Sequence, residues 1–210
     1  NNIYCFPGNA GTSLIAKNIN ADLSDFEALK KLIQKFNIDL VIIGPEKPLV
    51  SGLADYLKKN SIKVFGPNKV ASQLEGSKIF TKKLCEKYNI PTAKFGVFDN
   101  ITKCLSFLRQ CKFPIVVKAD CLASGKGVYI CETLEHSIYA VKEIFNGKFG
   151  EAEEVLIEEF LEGEEMSFFV ISDGKSFRKF GSAQDHKRVL EGDKGKNTGG
   201  MGAYSPSRLE

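Results

Sequence analysis

A chain of 210 residues has room for one large domain or two small ones. Its 43% apolar and 26% charged residues are ordinary globular values, and a formal net charge of +3 comes from interspersed lysines. That distribution argues against a nucleic-acid surface while suiting an anionic small ligand, and no apolar stretch is long enough to span a membrane.

The six cysteines (Cys5, Cys85, Cys104, Cys111, Cys121, Cys131) form no C-x-x-C pair and have no histidines at metal-ligand spacing. They read mostly as small buried hydrophobes in a reducing, cytoplasmic setting. Residue 1 is not methionine, "NNIYCF" enters directly as a strand without a signal-peptide pattern, and "YSPSRLE" follows straight after a glycine-rich motif. The expectation is an internal segment of a longer chain.

The first third alternates strand and helix. "IYCF" predicts a short strand, and "SDFEALKKLIQKFN" a helix opened by a Ser24–Glu27 capping box, with Phe26, Leu29, Leu32, Ile33 and Phe36 on one stripe. "DLVIIG" is a continuous apolar run, as expected of a strand covered on both faces. "PLVSGLADYLKKN" predicts one further helix and "KVFG" a third strand. This rhythm defines an α/β fold with a parallel sheet and right-handed crossovers. Ligands of such sheets sit beyond the carboxyl ends of the strands, where "PGNAGT", "GPEKPLV" and "GPN" fall.

A helix is predicted over 69–89, then a strand at "AKFGVF", a helix at "NITKCLSFLRQC" and the strand "IVVKAD". "GVYICE" is a strand, and "TLEHSIYAVKEIFN" a helix capped by Thr133. "EVLIEEF", "EEMSFFVISDG" and "SFRKFGSAQ" read as successive strands, the last two joined by an Asp-Gly turn.

Lys118 is the first residue that asks for chemistry. Its neighbours Ile115, Val116 and Val117 require a buried strand, and lysines are rarely buried without a partner. That partner is either Asp120, two residues on along the same strand face, or an anion supplied by a ligand. The following "LASGKG" is not a P-loop, but its glycines expose backbone N–H groups and Lys126 adds a point charge. The same stretch also reads as a flexible hairpin. In "VLIEEFLEGEEMSFFV", Glu158 and Glu159 interrupt an apolar strand where it leaves the core. Such a strand end can read a purine edge, with a carboxylate further on for ribose hydroxyls, or can be a solvated acidic terminus. "SAQDHKRV" gathers Asp185, His186, Lys187 and Arg188, and "NTGGMGAYSP" puts three glycines into four positions, which either turn sharply or lie against a ligand.

The strings "PGNAGT", "GPEKPLVSGL", "FGPNKVASQLEGSKIFTK", "VVKADCLASGKGV", "IEEFLEGEEMSF", "SAQDHKRV" and "NTGGMGAYSP" occur in this order over essentially the whole chain. In them the chain resembles the phosphoribosylamine–glycine ligases (glycinamide ribonucleotide synthetases), purine-biosynthesis enzymes of the ATP-grasp superfamily. The resemblance implies a Rossmann-like, pre-ATP-grasp amino-terminal domain over 1–70 and an incomplete ATP-grasp domain after it. The latter divides into a linking part at 71–115, a small α+β lid at 116–175 and the start of the central catalytic subdomain at 176–210.

The resemblance further implies that Lys78 and Lys118 hold nucleotide phosphates and that Gly125, Lys126 and Gly127 lie in the lid. Glu158, Glu159, Phe160 and Leu161 would read adenine, with Glu165 on the ribose. Gly8, Asn9, Gly11, Pro45 and Glu46, with Thr198, Gly199, Gly200, Met201 and Gly202, would line the phosphoribosylamine site. Asp185, Lys187 and Arg188 of "DHKR" would face glycine and the transferring phosphate as the catalytic side chains. The implied reaction is ATP-dependent amide formation through a glycyl phosphate by a monomeric, cytoplasmic enzyme. Mg²⁺ or Mn²⁺ would be held by ligands outside this stretch.

The chain departs from that pattern in four ways. The family's first strand with its glycine-rich turn and the later acidic segment that supplies the metal ligands are absent, Cys121 stands where glycine is usual, and Lys196 in "VLEGDKGKN" stands where proline is common. The stretch alone is therefore expected to be inactive, with the loop before "TGGMG" mobile. Another ATP-grasp carboxylate–amine ligase and a non-catalytic nucleotide-binding module are the alternatives.

Overall fold

The structure, a computed structural model, describes residues 2–120, 127–150, 153–192 and 194–210. The chain divides into two compact units, Asn1–Thr81 and Lys82–Glu210.

In the first unit, β1 (Tyr4–Cys5) pairs in parallel with β2 (Lys17–Asn18), a strand the sequence pattern did not announce. Helix α1 (Phe26–Lys35) follows and buries Leu29 and Ile33 of the predicted stripe. Its cap is Asp25, whose carboxylate accepts from Ala28 N at 2.9 Å; Ser24 instead bonds to Asp22, so the cap stands one residue later and the expected capping box does not form. Strand β3 (Val41–Ile42) leads to α2 (Glu46–Ser51) and α3 (Leu53–Lys59), two helices where one was expected, because Gly52 between them has φ +97°. Strand β4 (Val64–Phe65) pairs in parallel with β3.

The parallel pairing is as expected, but it comes as two separate pairs, β1-β2 and β3-β4. A hollow of about 650 Å³ is lined from both, by Tyr4, Cys5 and Phe6 on one side and Val41, Ile42 and Ile43 on the other. Ile42 is 69% exposed, so "DLVIIG" is not covered on both faces. The core lies on the helix side, where Leu29, Ile33, Leu53, Ala54 and Leu57 pack together.

The helix expected over 69–89 is also divided, into α4 (Gln73–Gly76) and α5 (Lys78–Lys87). Ser77 between them is extended (φ −137°, ψ 117°), and its hydroxyl accepts from Phe80 N at 2.9 Å, starting the second helix.

The second unit is built on an antiparallel sheet of β5 (Phe95–Phe98), β6 (Ile115–Ala119), β7 (Val128–Cys131) and β8 (Val155–Glu159), in the order β5-β8-β6-β7. Helices α6 (Ile101–Leu108) and α7 (Leu134–Phe145) are capped by Asn100 and, as predicted, Thr133. They pack against the sheet through Cys104, Leu108, Ala140, Val141 and Ile144, meeting Ile115, Val117 and Ala119 of β6 and Val155 and Ile157 of β8. Side chains alternate along a strand, so Val116 and Lys118, with Leu156 and Glu158, belong to the opposite face.

Beyond the sheet, β9 (Ser167–Ser172) and β10 (Phe177–Asp185) form the expected hairpin. In its Asp-Gly turn, Asp173 accepts from Lys175 N and Ser176 N at 2.9 and 2.8 Å. Strands β11 (Arg188–Leu190) and β12 (Lys194–Asn197) pair antiparallel, so the segment expected to be a mobile loop is largely a second hairpin. Finally β13 (Ala203–Tyr204) returns to the end of β10.

Candidate functional site

Lys118 sits on the non-helical face of the sheet because β6 gives its odd-numbered residues to the α6–α7 core. Within the chain, the carboxylate it pairs with is not the Asp120 expected from the sequence. The register pairs Val116 with Glu158 and Lys118 with Leu156, making Lys118 and Glu158 diagonal neighbours on one face. Their side chains form an ion pair, and the carboxylate that supplies it comes from β8, not from Asp120.

Glu158 is 7% exposed and holds a second lysine: Lys82 of α5 lies 2.6 Å from its Oε2. Lys82 also donates to Thr92 Oγ1 at 2.7 Å and to Ala93 O at 3.2 Å, and stands 5.6 Å from the centre of the Phe95 ring. A buried carboxylate is tolerated only when paired, and here one anion is shared by two cations, so the trio carries one positive charge more than it neutralises. Gly127 borders this place: its carbonyl accepts from Ala119 N at 2.9 Å. Gly125, Lys126 and Cys121 lie outside the described residues.

Glu159, expected beside Glu158 in the same role, is exposed and turned the other way; its Oε1 accepts from Lys94 N at 2.9 Å. After it the chain leaves the sheet, with Phe160 half-buried and Leu161 63% exposed.

A second cluster gathers at the end of β10. Glu165 pairs with Lys187, and Glu164 takes the Arg208 guanidinium through both oxygens at 2.6 and 2.5 Å, raising it further above its already high range. The glycine-rich stretch lies along "DHK". Thr198 N and Oγ1 both donate to Lys187 O, at 2.7 and 2.8 Å, Met201 N donates to His186 O at 2.8 Å, and His186 N donates to Gly202 O at 2.9 Å. Gly200 has φ +116°, and a Cβ at Gly199, Gly200 or Gly202 would meet nothing within 4 Å. Backbone conformation therefore explains Gly200, while the loop faces open space. Asp185 pairs through its backbone with Ala203, and Arg188 donates to Gly195 O at 3.1 Å.

In the first unit, Gly8 and Pro45 line the 650 Å³ hollow together with Thr12. The loop is tied internally: Asn9 N donates to Thr12 Oγ1 at 2.8 Å, Thr12 N to Asn9 Oδ1 at 3.0 Å, and Asn18 Nδ2 to Asn9 O at 2.7 Å. Gly8 has φ +81°, and a Cβ there would stand 2.3 Å from Asn18 Cγ. Gly11 precedes a short 3₁₀ turn at Thr12–Leu14, and Glu46 opens α2. Lys78 is the first residue of α5.

The sequence reading missed Lys82 and Arg208. Lys82 carried a usable signal: it stands four residues after Lys78 and so shares its helix face, which Lys83 does not. Arg208 carried none. Among the described residues no three His, Cys, Asp or Glu side chains gather to hold a metal ion, and no helix is long and apolar enough to cross a membrane.

Residues 76–209 match the model for the phosphoribosylglycinamide synthetase ATP-grasp (A) domain, so the larger unit is an ATP-grasp domain. At the level of fold alone, the chain is also similar to the biotin carboxylase domain of the Hydrogenobacter thermophilus 2-oxoglutarate carboxylase (18% identity, TM-score 0.69, 89% of this chain and 45% of that one). Residues 1–75 match the N domain of the same synthetase, and the chain belongs to the phosphoribosylglycinamide synthetase family. It is 53% identical over 206 residues to the phosphoribosylamine–glycine ligase of Brucella melitensis, covering 98% of this chain and 48% of that protein. The crystal structure of phosphoribosylamine–glycine ligase from Thermotoga maritima is similar over 100% of this chain and 50% of its own, at 32% identity and a TM-score of 0.83. The chain thus spans about half the length of the relatives it matches.

Proposed function

We propose that the protein carrying this chain ligates glycine to 5-phosphoribosylamine at the expense of ATP, forming glycinamide ribonucleotide in the cytoplasm. The observation that carries this reading is the positive charge of the Lys82–Glu158–Lys118 trio, with Lys118 near the end of β6 opposite Val128 of β7. A cation of that kind, beside Gly127, suits a polyphosphate. Family membership supports the particular substrates.

Within this reading, Lys118 and Lys78 bind phosphate oxygens, and the strip from Glu158 through Leu161 borders the base. Lid residues Gly125, Lys126 and Gly127 close over the phosphates and keep water from the activated carboxylate. Glu165 faces the ribose. Lys187, Arg188 and Asp185 orient glycine, with the "TGGMG" backbone at 198–202 and Gly8, Asn9, Gly11, Pro45 and Glu46 lining the amine's site. ATP supplies the phosphoryl group that activates the glycine carboxylate. Mg²⁺ or Mn²⁺ would accompany the nucleotide on ligands outside this stretch; among the described residues no acidic cluster gathers to hold it.

The test is ADP release by the full-length protein with Mg-ATP, glycine and phosphoribosylamine generated in situ, omitting each in turn. Release that needs both glycine and phosphoribosylamine supports the ligase. Release with neither, or only with another acid–amine pair, overturns the substrate assignment.

A further inference from the structure

We propose that Lys82 is a positioning residue: it keeps Glu158 neutralised so that Lys118 can exchange that carboxylate for a phosphate oxygen of a bound nucleotide. The inference rests on the nucleotide reading above and adds a role that reading does not contain.

The two lysines on Glu158 are not equivalent. Lys82 is 12% exposed and tied down by Thr92 Oγ1, Ala93 O and the Phe95 ring. Lys118 is 25% exposed, at the rim of the sheet face. Lys118 is the cation that can turn toward a ligand, and Lys82 is the one held in place.

Glu158 sets the cost of that turn. Its Oε2 is fully buried and makes no well-aligned hydrogen bond, although the Lys82 ammonium stands 2.6 Å away. A carboxylate so placed cannot recruit water if it loses its counter-ions. With Lys118 as its sole partner, every phosphate contact made by Lys118 would strand a buried anion, and Lys118 would stay where it is. With Lys82 fixed on the other oxygen, the anion remains paired while Lys118 changes partner. The surplus charge of the trio is what a phosphate then meets.

The full-length protein would be titrated with ADP and, separately, with adenosine. Removing the charge in Lys82→Met is expected to weaken ADP binding about 10- to 100-fold, the range for one charged hydrogen bond, while adenosine binding stays within about threefold. Lys82→Arg retains the charge and should bind ADP nearly as wild type does. The double variant Lys82→Met with Glu158→Gln should bind ADP within about threefold of Glu158→Gln alone, because a neutral side chain no longer retains Lys118.

Unchanged ADP affinity in Lys82→Met, or equal losses for ADP and adenosine, overturns the inference; the second result would mean a structural role. If Lys82→Met does not fold, the double variant decides: ADP affinity close to that of Glu158→Gln alone supports the exchange, and a further loss of about 10-fold or more sinks it. A wild-type protein that binds no ADP would instead refute the nucleotide reading itself.

Discussion

Glu158 holds two lysines, so neutralising it should cost more stability than removing either cation. The perturbation is Glu158→Gln, which keeps the shape and drops the charge. At the Lys82–Glu158 separation of 2.6 Å, Coulomb attraction at an effective dielectric of about 20 is about 6 kcal/mol. Desolvation of a pair this buried takes back roughly half, leaving about 3 kcal/mol lost in the variant. Lys118→Met should cost only about 1 kcal/mol, since Glu158 keeps Lys82 and the new side chain lies on the face it shares with Leu156. Urea unfolding of the full-length protein followed by far-UV circular dichroism measures both; the chain has no tryptophan to report by fluorescence. A Lys118→Met loss equal to or larger than that of Glu158→Gln would refute the view of Glu158 as the shared anion.

Two further outcomes are open to measurement. Glu143 accepts from Tyr129 and Lys148, and the Lys148 bond above all lowers its carboxyl from 4.5 to about 2. A depressed carboxyl stabilises the folded state above its unfolded pKa and loses that effect as pH falls through the folded value. The stability gap between wild type and Glu143→Gln should therefore be full above about pH 5, shrink as pH falls and vanish only below about pH 2; a gap as large at about pH 2 as at neutral pH contradicts the pairing. Burial pushes the Cys104 thiol up to about 12 and Cys131 up to about 11. Among the described cysteines, native-state alkylation at about pH 8 should mark the half-buried Cys5 and Cys85 first, and modification of Cys104 or Cys131 faster than unfolding would disprove their burial.

Much of the fold was legible because periodicity states it locally. The α1 stripe, the Thr133 cap and the Asp-Gly hairpin each depend on residues within a few positions of one another. The breaks were less legible. Gly52 and Ser77 divide helices whose apolar pattern runs through them, and β2 carries no β-branched signal in "KN". The five cysteines among the described residues divide as well: Cys104 and Cys131 are core residues, while Cys5, Cys85 and Cys111 are only half-buried.

The site was legible in its residue types and illegible in its pairings. A lysine inside "IVVKAD" announced that an anion must stand near it, but nearness in sequence pointed to Asp120, whereas strand pairing brings Glu158 from 40 residues away. The same pairing changes what Glu158 is for. Read along its own strand, it is an acidic residue at the end of an apolar run. Read across the sheet, it is the buried anion that sets where two cations stand, while Glu159 beside it faces the other way. Alternation makes that division unavoidable: whichever of the two glutamates shares the Lys118 face must be paired, and its neighbour must leave it. The chemistry of the site thus follows from a one-residue register choice, and a shift of β8 by one residue would exchange the two glutamates and leave Lys118 facing Ile157.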